Sequence, residues 1–181
     1  MLPDETIQRL NRLCRTLQII VFALISGVGA YLAFVLVNLD GPLVVMGDDM
    51  MIVMLIMAAA CIPVALVIPA IVVRKGNGNS SEMLRNPQTA ALFTGDPIND
   101  VAIFVAMRIQ VATIVACAML EGSAFANAFA LSTSGDAVHL GVVLALLLGI
   151  ACRFPTRARY ITRIERILED AHFGQDDSFD R

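Results

Sequence analysis

Residues 109–131 read Ile109-Gln-Val-Ala-Thr-Ile-Val-Ala-Cys-Ala-Met-Leu-Glu121-Gly-Ser-Ala-Phe-Ala-Asn-Ala-Phe-Ala-Leu131. An unbroken apolar run of this kind has the length of a bilayer-crossing helix, about 20 residues. Glu121 falls close to its midpoint. A carboxylate at the centre of a bilayer costs roughly 2.5–3.5 kcal/mol on insertion scales, so it is seldom found there without a partner or a task.

A helical reading sorts the neighbours of Glu121 by face. At 3.6 residues per turn its stripe carries Gln110, Ile114, Cys117, Phe125, Ala128 and Ser132. Gln110, Glu121 and Ser132 are its sparse polar points. Beside it Ala118, Gly122, Ala126 and Ala130 form a small-residue ladder of the sort that lets helix backbones approach closely in lipid. Ser123 and Asn127 point elsewhere, toward another neighbour. The Glu121 stripe is expected to face a bundle interior or an interface between protomers.

Working outward, three further apolar segments are read as spans, at about 16–37, 51–73 and 137–152, the last of them short. Composition agrees: 57% of residues are hydrophobic, 16% are charged, and mean hydropathy is +0.75, which leaves too few charges to cover a soluble domain of 181 residues. A net charge of -3 argues against a nucleic-acid binder. The cysteines Cys14, Cys61, Cys117 and Cys152 stand singly and suggest neither a zinc site nor a disulfide framework. Arginines and Lys75 cluster before the first span, between the second and third, and after the fourth. The other two loops, 38–50 and 132–136, hold only acidic charges. By the positive-inside rule both termini are cytoplasmic, which an even number of crossings also requires. Cleavage after the small residues at 28–30 is the competing reading, but the apolar run continues to Val37, too long for a signal core.

The segments outside the spans are amphipathic or polar. Ile7, Leu10, Leu13 and Leu17 make an amphipathic helix over 1–15 that runs straight into the first span. The stretch Lys75-Gly-Asn-Gly-Asn-Ser-Ser81 reads as a breaker, followed by one or two short interfacial helices before residue 100. Over 155–173, Tyr160, Ile161, Ile164, Ile167, Leu168 and Ala171 form an apolar face ringed by arginines. Arg153, Arg157, Arg159, Arg163 and Arg166 suit a surface of anionic headgroups. Packing of this helix against the bundle is the equal alternative. Residues 174–181 are acidic and read as a disordered tail.

Depth matching then suggests partners for Glu121. Ser26, Gly27 and Gly29 lie near the midpoint of the first span, and Pro63 near that of the second. Pro63 has no N–H and so frees the carbonyl of Ala59. With no cation at its depth, Glu121 is expected to be neutral and to donate to Ser26 Oγ or Ala59 O. Three roles remain open: a carboxyl that pins helix register, a relay for protons or cations using Glu121, Ser26, Gln110 and Ser132, or part of a ligand or cofactor site. His139 reads as an ordinary interfacial histidine, Asp48-Asp49 as a solvated acidic pair, and Met50, Met51, Met54 and Met57 as packing filler.

Three stretches, Arg15-Thr-Leu-Gln-Ile-Ile20, Ala118-Met-Leu-Glu-Gly-Ser-Ala-Phe125 and Arg153-Phe-Pro-Thr-Arg157, with the four-span layout, resemble a group of small bacterial integral membrane proteins of unknown function. That resemblance implies a fold and no activity. A mid-membrane Leu120-Glu121 with a glycine-bearing first span is also similar to the proteolipid c subunit of rotary ATPases, in which such an acid carries the translocated ion. This chain departs from that pattern: the long glycine ladder is missing and the acid lies in the third span.

The sequence therefore predicts an all-α, polytopic membrane protein. Its four-helix transmembrane bundle (16–154) is flanked by amphipathic cytoplasmic helices and sits in a bacterial inner membrane. No triad, metal motif or phosphate loop is legible, so a non-enzymatic subunit or scaffold without metal or cofactor is expected. Glu121, Ala118, Gly122, Ala126, Ala130, Gly27, Gly29 and Pro63 would order helix packing or oligomers. Its partners would be the lipid bilayer and a second copy or another membrane subunit, not nucleic acid. The alternative is a proton- or cation-translocating component.

Overall fold

The computed structural model describes residues 3–39, 41–43, 49–83 and 97–176. It is all-helical over those residues, with five helices: α1 (Asp4–Val37), α2 (Asp49–Met83), α3 (Pro97–Ser134), α4 (Ala137–Cys152) and α5 (Arg157–Asp176). Two are long and apolar enough to cross a membrane, α1 and the Ala102–Ser134 part of α3. The pair Ala137–Cys152 and Arg157–Ile167, bent by 63°, makes a third if it is one span, and Ile52–Ile68 is a shorter apolar helix. The described residues thus carry two or three candidate crossings where the sequence suggested four.

Local chemistry explains the helix ends. Asp4 and Glu5 sit in the first turn of α1, at the positive end of its dipole, and the amide of Ile7 donates to Pro3 O at 3.1 Å. Arg9 and Glu5 pair one turn apart at 3.1 Å, an exposed contact that contributes little. The amphipathic start and the apolar run form one continuous helix, as expected. At its far end the amide and side chain of Asn38 both reach Phe34 O, and Gly41 takes a left-handed φ of +114°. Between α3 and α4 the chain reverses in two residues. Gly135, at φ +66°, donates to Leu131 O, and Asp136 caps α4 by accepting from the amide of Val138.

Two boundaries differ from the sequence reading. α2 runs through Gly76-Asn-Gly-Asn-Ser-Ser81 to Met83. Each glycine costs about 1 kcal/mol in a helix, but extending an existing helix gains one hydrogen bond per residue fixed, so a weak breaker need not stop it. α5 reaches Asp176 rather than ending at 173. The segment 84–96, the acidic residues Asp40 and Asp48, and the end of the tail from 177 lie outside the described residues.

The chain packs as two compact units. Unit 1 comprises Met1–Leu17, Pro69–Ala112 and Pro155–Arg181; unit 2 comprises Gln18–Ile68 and Thr113–Phe154. In unit 1 the side chains of Leu10, Cys14, Leu17, Ala102, Ala106, Ile109, Tyr160 and Ile164 form the core. The phenol of Tyr160 donates to Ala106 O at 2.9 Å, and Cys14 Sγ lies 3.8 Å from Pro155 O. Tyr160 and Ile164 of α5 are therefore turned into the unit, which favours packing for that part of its apolar face, while Ile161 and Ile167 stay half-exposed. Unit 2 is built from segments of α1, α2, α3 and α4. Val21, Val28, Leu32 and Val35 of α1 are buried there with Leu120, Ala124, Ala128 and Leu131 of α3 and with Val143, Leu146 and Ile150 of α4.

Candidate functional site

Glu121 lies on α3 within unit 2, half-buried, at a seam with α1. A Cβ built on Gly27 would lie 3.7 Å from Glu121 Oε1 and 3.8 Å from Phe125 Cζ. One turn further along, the rings of Tyr31 and Phe125 meet at 5.5 Å and 53°. The bare backbone of Gly27 and the tilted aromatic pair thus frame the carboxyl. Depth matching found the correct part of α1 but the wrong neighbour. Ser26 is exposed, one position and about 100° round the helix from Gly27, and no hydrogen bond joins it or Ala59 to Glu121 among the described residues. Helix rotation, which depth alone leaves undetermined, made the difference.

The remaining members of the expected stripe are dispersed. Ser132 is exposed and donates to Phe129 O of its own helix at 2.7 Å. Gln110 is half-buried in unit 1. On the small-residue ladder, Ala118 and Gly122 are exposed, Ala126 is half-buried and Ala130 is buried. A Cβ on Gly122 or Gly29 would meet nothing within 4 Å, and Pro63 is exposed. The contact face of α3 in unit 2 instead carries Ala116, Leu120, Ser123, Ala124, Asn127 and Leu131, rotated away from Ala118 and Gly122. α3 is apolar all round, so its pattern did not mark which small residues turn inward.

A second polar constellation joins α3 to α4. Asn127 and His139 are 0% and 1% exposed, and His139 Nδ1 lies 3.1 Å from Asn127 Oδ1. Asn127 Nδ2 donates to Ser123 O at 2.9 Å, so its Oδ1 is the acceptor and the imidazole proton belongs on Nδ1. Ser123 Oγ and Asp136 Oδ2 are buried without a hydrogen-bond partner. His139 is therefore a buried side chain. The sequence places the two residues on either side of the Gly135-Asp136 reversal, but the helix rotation that brings them together was not legible in it.

Arg153 is the other departure. It was read as a membrane-surface residue, yet its Nη2 donates to Ala65 O at 2.7 Å, and it is half-buried. Pro69, four residues after Ala65, has no N–H, so the carbonyl of Ala65 lacks its helical donor. The guanidinium supplies the missing donor. The other basic residues of that group, Arg157, Arg159, Arg163 and Arg166, are exposed on α5.

Chemically, these elements supply hydrogen-bond donors, one framed carboxyl and one guanidinium. Among the described residues no three His, Cys, Asp or Glu side chains gather closely enough to hold a metal ion. Comparison with protein-family models, curated proteins and solved structures finds no match to this chain.

Proposed function

We propose that this chain is a non-enzymatic subunit or scaffold of a bacterial inner membrane, crossing it four times with both termini in the cytoplasm. In this reading Glu121 orders the packing of α1 on α3 and presents its remaining hydrogen-bonding capacity to a second copy or another membrane subunit. The supporting observation is the carboxyl itself: half-buried against Gly27 and Phe125, with no hydrogen-bond partner among the described residues. A carboxyl in that state is costly against lipid, and a neighbouring helix offers the cheaper surroundings. The placement of Ser132, whose hydroxyl is engaged by its own helix, favours packing over a relay along the stripe.

The second reading, translocation of protons or cations with Glu121 as relay, draws on one observation. Arg153, at the end of α4, turns its guanidinium to Ala65 O within unit 2, the unit that also holds Glu121. Two measurements on the same preparations separate the readings. Self-association or partner retention in detergent should persist in Glu121→Gln, which keeps the hydrogen bonds, and weaken in Glu121→Leu. Liposomes holding a pH dye should show no proton flux for wild type or for Glu121→Gln. Flux in wild type that disappears in Glu121→Gln would replace the scaffold reading with the relay. Association unchanged in Glu121→Leu would remove Glu121 from the interface.

A further inference from the structure

We propose that the arginine row of α5, Arg159, Arg163 and Arg166, binds the phosphodiester headgroups of anionic phospholipids. This rests on the bilayer placement of the chain in the reading above, but not on any role of Glu121. The sequence alone suggested a helix lying in the membrane surface by its apolar side. The structure turns part of that side inward: Tyr160 and Ile164 are 4% and 0% exposed and the phenol of Tyr160 is fastened to Ala106 O. What α5 leaves outward is the opposite side. Arg159, Arg163 and Arg166 follow one another at helical spacing, so they share one stripe, and all three are exposed.

An exposed charge row is ordinarily a solvated face, and two observations set this one apart. The first is the lack of an ion pair among the described residues. The described ion pair of unit 1 is Arg9 with Glu5, and none of the three arginines has a carboxylate partner among the described residues. Arg12 and Arg15, exposed on α1 in the same unit, are likewise without one, and the carboxylates that α5 carries, Glu165, Glu169 and Asp170, lie toward the C-terminal end of the row. The second is the choice of cation. Lys75 is the one lysine in a chain with 13 lysines and arginines. Solvation alone is served by either residue, whereas the planar guanidinium fork matches two phosphate oxygens at once. Basic side chains beside a membrane each strengthen binding to an anionic leaflet roughly fivefold.

The test is native mass spectrometry of the full chain in a neutral maltoside detergent, titrated with phosphatidylglycerol, with phosphatidylcholine and with inorganic phosphate. The variant is R159Q/R163Q/R166Q, whose positions are exposed; its helix content is checked by circular dichroism. Wild type should bind phosphatidylglycerol about tenfold more tightly than phosphatidylcholine, with the preference shrinking at high salt. The variant should bind the two lipids alike. Equal binding of both lipids by wild type would overturn the proposal, as would a preference that survives in the variant. Inorganic phosphate that abolishes the preference at millimolar concentration would reassign the row to a soluble anion. Failure of the membrane placement shows up differently, as release of the chain from membranes by alkaline carbonate. Failure of the Glu121 reading shows up as association unaffected by Glu121→Leu.

Discussion

At the scale of single residues, Gly27 sets the closest approach at the Glu121 seam. The spaces of 3.7 and 3.8 Å around a Cβ there are ordinary contact distances, so Gly27→Ala should be tolerated. Gly27→Leu should overpack the seam against the carboxyl and the Phe125 ring, costing about 1–3 kcal/mol, read as a lowered thermal midpoint in detergent. The Asn127–His139 contact gives a complementary case. Asn127→Ala strands the Nδ1 proton of a buried imidazole and should cost about 1–3 kcal/mol. In a double-mutant cycle with His139→Ala the coupling should be about 0.6–1.7 kcal/mol, the range for hydrogen bonds between membrane helices. A coupling of zero would mean that each residue is held by something else. The sequence showed that Glu121, Asn127 and His139 were polar residues among apolar ones. It did not show that two of them meet, because one helix pattern carries no information about the rotation of the next.

At the scale of elements, the proline in α2 and the arginine closing α4 act as a pair. Arg153→Ala should leave Ala65 O without a donor and cost about 1–3 kcal/mol. Pro69→Ala restores an N–H at the position that would serve Ala65 O. In that background, Arg153→Ala should cost markedly less, a non-additivity readable from paired unfolding curves. Equal costs in both backgrounds would detach the arginine from the proline. α5 offers a second prediction. Burial holds the Tyr160 phenol well above its ordinary range, so its neutral form is favoured in the folded protein. A raised folded value gives stability that is full below about pH 10, the usual tyrosine value, and that drains away as pH climbs beyond it. Wild type should therefore lose stability in the alkaline limb, and Tyr160→Phe should lose less of it over the same interval. The helices themselves were legible as apolar runs between charges. The boundary at Lys75–Ser81 was not, since glycine and asparagine weaken a helix without forbidding it.

At the scale of the whole chain, the apolar composition placed the protein with membrane proteins, and the structure supports membrane association with two or three helices suited to crossing. The number of crossings was less legible. Ile52–Ile68 is short for a span, and whether Ala137–Cys152 crosses alone or with its bent continuation depends on a 63° turn at Phe154-Pro155 that hydropathy does not register. A cysteine-accessibility scan settles the topology. Single cysteines introduced at residues 8 and 162 into a cysteine-free background should both be labelled only from the cytoplasmic side; opposite labelling would reduce the crossings to an odd number.

The bond between Arg153 and Ala65 also has a history, because its two ends are made at different times. They are 88 residues apart in the chain. At a synthesis rate of about 5–20 residues per second, the donor emerges from the ribosome some seconds after the acceptor. During that interval the nascent second helix holds an unmet carbonyl that only water, the insertion machinery or lipid headgroups can serve. Completion of α4 then closes the gap, so a later helix finishes an earlier one. A chain halted before Arg153 would be held longer by the insertion apparatus, and cleared sooner by quality-control proteases, than one halted just after it.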